Sequence, residues 1–172
     1  MNRSRIKSLV KIAILIAVLS VGSQISIPMM FSVPITLQIL FVALMGYVLS
    51  TKQSIIAIFT YILIGAIGIP VFANFGAGLG TLFSYTGGFI FGFLPLAILC
   101  SLGKGKIKIL FGIIGALMCH LIGILWYATI SKASVVSSFL VVSLPFIFKD
   151  LFLVVLGYFL SVMINKKIKK QG

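Results

Sequence analysis

The sequence predicts an all-α integral membrane protein of six transmembrane helices with both termini cytoplasmic, residues 1–172 forming a single transmembrane domain. Three observations predict it. Hydrophobic residues make up 61% of the chain and charged residues 9%, with a mean hydropathy of +1.30, a balance that a water-exposed globular surface cannot accommodate. The apolar residues fall into runs approaching the ~20 residues that a helix needs to cross a bilayer. The cations gather in short clusters at the ends of those runs. In a soluble protein a net charge of +13 would suggest nucleic acid, but charges placed this way belong to a chain embedded in a lipid bilayer, with no nucleic-acid partner.

The six expected spans are Leu9 to Ile27, Ile35 to Ser50, Gln53 to Ile69, Gly87 to Leu102, Ile107 to Ile130, and roughly Pro145 to Ile164. Two are short, which is allowed where the flanking irregular backbone is buried in protein. The 17 glycines and 5 prolines suit membrane helices, where small residues permit close approach and breaks are tolerated. Orientation follows from the Lys and Arg positions. Arg3, Arg5, Lys7 and Lys11, then Lys52, then Lys104, Lys106 and Lys108, then Lys166, Lys167, Lys169 and Lys170 put twelve of the 14 cations on one side, which the positive-inside rule assigns to the cytoplasm. The basic C-terminal cluster is expected to rest on anionic lipid. The first run shows no small-residue cleavage pattern before Pro28, so no separate signal is expected.

The outward side has its own character. Pro28 to Pro34 carries two prolines and no charge, and Pro70 to Thr86 intersperses apolar residues with glycines, which suggests a lid folded into the bundle mouth or, alternatively, simple re-entrant packing. Gly76, Gly78 and Gly80 would let main chain approach a ligand there. Asp150, the one acidic residue, starts the sixth span. A carboxylate in hydrocarbon costs a few kcal/mol and marks a site by default, although it could be packing glue bonded to neighbouring hydroxyls. With Pro145 at the first helical position, Asp150 lies about 7.5 Å into the helix. Lys149 is about 100° away in azimuth and is expected to snorkel outward while Asp150 points inward. Cys100 and Cys119 lie in apolar runs without metal spacing, so they are expected to pack and no metal is expected. His120 beside Cys119 has no acid on its own helix and reads as a packed, hydrogen-bonded residue. Trp126 and Tyr127 read as membrane-interface aromatics.

Four segments, Val33-Pro34-Ile35-Thr36-Leu37-Gln38, Gly65 to Ala73, Thr86-Gly87-Gly88-Phe89-Ile90-Phe91-Gly92-Phe93, and Pro145-Phe146 with Asp150, together resemble the BioY family, the biotin-specific S components of energy-coupling factor (ECF) vitamin transporters. The resemblance covers most of the chain. It implies a compact six-helix bundle in a prokaryotic cell membrane that captures biotin at its outer face with high affinity, with biotin as transported ligand, no cofactor and no enzymatic activity. An ionised Asp only accepts hydrogen bonds, so Asp150 would take the ureido N–H groups in charge-assisted bonds. Asn74 is placed to meet the ureido group or the acid tail. Tyr85 and Thr86, with the backbone at Gly87 and Gly88, would complete the polar lining, and Phe72, Phe75 and Phe83 would cover the apolar ring and chain. The chain departs from the pattern at Leu153, where the family has Lys, at Tyr85, where it has Pro, and at Phe89, where Tyr is common. Lys149 is the residue left to stand in for the missing Lys.

The chain has no Walker-type glycine loop, so it cannot hydrolyse ATP itself. The resemblance implies a transmembrane coupling subunit joined to two ATPase subunits. It also implies that Ala13 and Ala17, a small-xxx-small pair, dock that subunit; spacing alone fits an internal contact equally. The competing functions are a proton-coupled secondary transporter in which Asp150 titrates, an S component for another small vitamin, and a membrane enzyme using Cys119 and His120.

Overall fold

In the computed structural model, residues 3–29 and 33–170 are described, and 78% of the chain is helical. Met30, Phe31 and Ser32 of the Pro28 to Pro34 connection lie outside the described residues, as do the side chains of Lys169 and Lys170. Helix α1 spans Arg3–Gly22, α2 Gln38–Val48, α3 Thr51–Ala66, α4 Gly78–Leu82, α5 Gly87–Ser101, α6 Ile107–Ser131, α7 Val135–Val142 and α8 Leu144–Lys170. Strands β1 (Ser26–Ile27) and β2 (Ile35–Thr36) pair antiparallel, with Ser26 opposite Thr36. Among the described residues, α6 and α8 are long and apolar enough to cross a bilayer by length and composition, and α2, α3 and α5 are shorter apolar helices.

Each expected span contains a helix, with ends set by local chemistry. Helix α1 stops five residues before Ile27 because Ser20, Ser23 and Gln24 turn their side chains onto nearby carbonyls, the competition that makes such residues poor helix continuers. Helix α2 starts at Gln38 because Ile35 and Thr36 are committed to the ladder. Helix α3 ends at Ala66, where Gly68 at φ 103° and the Ile69 N–H donating to the Ile64 carbonyl at 3.2 Å close the chain in a Schellman turn before Pro70. Two short helices were not expected as such. The Pro70 to Thr86 segment holds α4 and a 3-10 turn at Ala73–Phe75, and the Ile130 to Pro145 connection holds α7, capped by Ser134, whose hydroxyl accepts from the Ser137 N–H at 3.1 Å.

Helix α2 is buried nearly all round, on residues Gln38 to Tyr47 with Phe41 half-buried, as befits a central helix. It packs on α8, α5 and α1. At its C-terminus the Lys11 ammonium donates to Val48 O at 2.9 Å and Lys108 to Tyr47 O at 3.2 Å. Two cations thus meet the carbonyls that a helix end leaves unpaired and the partial negative charge there. Gln53 bonds Ser8 at 2.6 Å and Ser101 bonds Thr51 at 2.8 Å at the same end, so the basic clusters of α1, α3 and α6 converge. The outer faces expose Leu9, Val10 and Ile14 of α1, Leu110, Leu117 and Leu121 of α6, and Phe148, Phe152 and Phe159 of α8. Apolar cover on this scale suits lipid rather than water.

The α5 and α6 pair forms the most extensive helix contact. Gly88 lies against Trp126, Gly92 against Cys119, Gly115 against the Leu96 backbone and Gly123 against the Phe89 ring, the small-residue packing that substitutes for a hydrophobic driving force in lipid. A Cβ at Gly92 would come within 2.9 Å of the Cys119 Cα, whereas one at Gly80 would meet nothing within 4 Å. Gly92→Leu is therefore expected to destabilise the detergent-solubilised protein by about 2 kcal/mol through overpacking, read as a lower melting temperature, and Gly80→Ala to leave that temperature unchanged.

Candidate functional site

Opposite the basic end, β2, the first turns of α2 and α5, the 72–74 loop, α4 and the α7–α8 joint surround a cavity. Its empty space is about 800 Å³ with the open mouth included. Phe72, Phe89, Ile90, Phe93, Val142 and Phe146 give it apolar walls, and Thr36, Gln38, Asn74, Thr81, Thr86, Lys149 and Asp150 supply polar groups.

Asp150 is 5% exposed, and Lys149 and His120 flank its carboxylate. Lys149 Nζ donates to Oδ1 at 2.5 Å and to the Thr36 carbonyl of β2 at 2.8 Å. Lys149 therefore does not snorkel outward as expected. Its four-carbon stem is long enough to wrap back across the difference in azimuth, and a carboxylate out of water attracts an ammonium far more strongly than solvent screening would allow. On the other side His120 Nε2 lies 3.2 Å from Oδ2 but off the line of a hydrogen bond, since that nitrogen makes none. The other ring nitrogen, Nδ1, bonds the Ser143 hydroxyl at 2.9 Å. Ser143 also starts α8, accepting from the Phe146 and Ile147 N–H groups. One carboxylate thereby joins α8, α6, β2 and the α7–α8 joint. A carboxylate has about four acceptor positions, so Lys149 and His120 leave room for a ligand on the cavity side.

Asn74 enters the cavity wall from the opposite side. Its Oδ1 accepts from the Ser26 hydroxyl at 2.6 Å, which aims the amide nitrogen elsewhere. Thr86 joins the wall just before α5, with its hydroxyl 3.0 Å from that of Ser84. Gln38 Nε2 donates to Tyr61 Oη at 3.0 Å, and that hydroxyl donates to Val71 O at 2.9 Å, an internal brace below the loop.

Of the residues expected at a site, Asp150, Asn74, Thr86, Lys149 and Phe72 line the cavity and the others do not. Tyr85 stacks on Tyr127 with ring centroids 5.3 Å apart. Gly87 abuts the Leu82 carbonyl and Gly88 abuts Trp126, so their missing side chains serve helix packing, because α6 occupies the space a side chain would need. Phe75 and Phe83 are 71% and 61% exposed. Trp126 is not a free interface anchor, since its indole N–H donates to Ser84 O at 2.9 Å and its ring packs on Phe83 and Phe91. Cys119 is fully buried with its thiol on Phe89 O at 3.6 Å and does not line this cavity. Sequence reasoning missed Gln38, Thr81, Phe93, Val142 and Phe146 as lining. The signal for Gln38 was present, as an uncharged polar side chain opening an apolar run.

A sequence model of the BioY family matches residues 1–170. The probable biotin transporter BioY of Pyrococcus horikoshii is 39% identical over 140 residues, which cover 81% of this chain and 85% of that protein. The biotin transporter BioY2 of Lactococcus lactis subsp. cremoris is 39% identical over 132 residues, 73% of this chain and 72% of that one. A crystal structure of the S-component for biotin from an ECF-type ABC transporter superposes with a TM-score of 0.87 and 22% identity, over 100% of this chain and 95% of that one; at that identity the likeness is one of fold.

Replacing His120 by Leu removes a partner from the buried Ser143 hydroxyl and from Asp150 Oδ2. The expected cost is about 2 kcal/mol, measured as a lower melting temperature in detergent. An unchanged temperature would show that the histidine does not support the carboxylate.

Proposed function

This chain belongs to the BioY family, and from that premise we propose that it is a biotin-binding S component of an ECF-type vitamin transporter and not an enzyme. The observation that carries the reading is the buried Asp150 carboxylate, held by Lys149 and His120 while one face stays turned to the cavity. Biotin presents a ureido ring with two N–H donors and a carbonyl, an apolar thioether ring and chain, and a terminal carboxylate. Asp150 accepts the ring N–H groups in charge-assisted bonds, and Asn74 offers its amide N–H to the ring carbonyl. Phe72, Phe89 and Phe146 enclose the apolar body. Lys149, occupied by Asp150 and Thr36, serves the ring end rather than the acid tail, and Thr86 and Gln38 complete the polar lining.

The chain crosses the prokaryotic cell membrane six times, through α1, α2, α3, α5, α6 and α8, with both termini and the basic end in the cytoplasm, so the cavity opens outward. The capture step needs no energy; the uptake step does. A transmembrane coupling subunit and two ATPase subunits supply it, docking on α1, where Ala13 and Ala17 are exposed within an apolar face.

Two measurements test this. Biotin titrated into the purified protein in detergent should bind, and Asp150→Asn should raise Kd by at least about tenfold, the loss of one charge-assisted bond. No binding by the parent would reject the ligand, and an unchanged Kd in the variant would remove the acid from the site. Ala13→Trp should abolish uptake by the assembled transporter and leave biotin binding within about twofold, since no binding free energy is touched; equal loss of both would contradict docking on α1.

A further inference from the structure

The loop that brings Asn74 to the cavity is fastened by the end of one helix. Gln24, two residues beyond α1, reaches it three times. Its Nε2 shares two hydrogens among the Ser20 carbonyl and Ser23 hydroxyl at 3.0 Å and the Pro70 and Phe72 carbonyls of the loop at 3.2 Å, and its Oε1 accepts from the Phe75 N–H at 2.9 Å. The neighbouring Ser23 hydroxyl shares its one proton between the Val71 carbonyl of the loop and the Ser20 carbonyl. The loop requires fastening, because Asn74 and Phe75 stand at φ 54° and 57°, the left-handed region that side chains disfavour and that suits Phe worse than Asn. Phe75 is 71% exposed, so packing does not offset its strain.

We propose that Gln24 is a latch: a positioning residue that touches no ligand but holds the 70–76 loop over the cavity, so that Asn74 and Phe72 stay on its wall. An amide suits this role because one side chain carries both donors, here shared between the end of α1 and the loop carbonyls, and an acceptor for a loop N–H. The ligand-binding part of the proposal rests on the biotin reading above; the latch itself does not. Losing the latch lets the loop leave the cavity, which shows as faster ligand escape, since most changes in affinity of this kind appear in the off-rate.

The test uses the full chain in detergent, monodisperse and with an unchanged melting temperature. Gln24→Ala should raise biotin Kd and off-rate about tenfold, while Phe75→Gly alone, which relieves the left-handed strain, should stay within about threefold. In the Phe75→Gly background, Gln24→Ala should then cost less than about threefold, because the larger part of the strain that the latch opposes, that of Phe75, is gone. An unchanged off-rate in Gln24→Ala, or a tenfold loss in both backgrounds, would overturn the proposal. Independently of any ligand, the Phe75 amide should exchange with deuterium faster in Gln24→Ala than in the parent, and equal exchange would overturn the latch even if biotin proved not to bind. If Gln24→Ala fails to fold, Gln24→Glu, which keeps the acceptor for Phe75 but loses both donors, should show a protected Phe75 amide with a raised off-rate; a parent-like off-rate there would equally overturn it.

Discussion

The Asp150 carboxylate cannot remain in an apolar bundle without partners, and the site end of the molecule is arranged around meeting that requirement. An isolated ion in such surroundings is very costly, and removing one member of a buried pair typically costs about 3–5 kcal/mol. Lys149 and His120 come from adjacent and distant positions in the chain, and each is tied onward, to Thr36 of β2 and to Ser143 at the start of α8. The carboxylate therefore fixes where α8 sits against α6 and against the two-residue ladder. The cavity floor lies where these elements meet.

The two ends of the bundle use charge differently. At the basic end, lysines meet helix carbonyls at the edge of the apolar region, as Lys11 and Lys108 do at α2, while Arg3, Arg5, Lys7, Lys52, Lys104, Lys106, Lys166 and Lys167 are exposed. At the site end one acid and one lysine cancel each other, so a ligand meets directed hydrogen-bonding groups rather than a strong field. Rigidity is divided in the same way. The α5 and α6 pair, closed at Gly88, Gly92 and Gly123 where an added Cβ would clash, gives a closely packed wall. The facing wall is a strained loop held by side-chain hydrogen bonds from the end of α1. A site of this kind combines fixed positions with one element that can release.

The helices were legible in the sequence because long apolar runs bounded by Lys, Gly and Pro leave little choice of structure. Their ends were less so, since Ser20, Ser23 and Gln24 stop α1 by bonds that composition does not reveal. Helix α7 was missed because eight residues capped by Ser134 look like a loop between longer spans. Asp150 stood out as the one acid, and Asn74 and Thr86 followed from the resemblance and reached the cavity wall. Lys149 was misdirected because azimuth along a helix ignores how far a flexible stem can bend. Gly87 and Gly88 were read as ligand-facing backbone, yet which neighbour a glycine admits is a tertiary fact, and here Leu82 and Trp126 fill those spaces. His120 read as a packed, hydrogen-bonded residue, but its pairing with an acid thirty residues away was invisible without the fold.

The central claim is that the open face of Asp150 accepts the ring N–H groups of the proposed ligand. The most direct measurement compares the Kd of biotin with that of biotin methylated on a ureido nitrogen, in the parent and in Asp150→Asn. Methylation should weaken binding to the parent by about a hundredfold, the scale of a lost bond to a charged group, and the penalty should largely vanish in the variant. An equal penalty in both proteins, or none in the parent, would contradict the account.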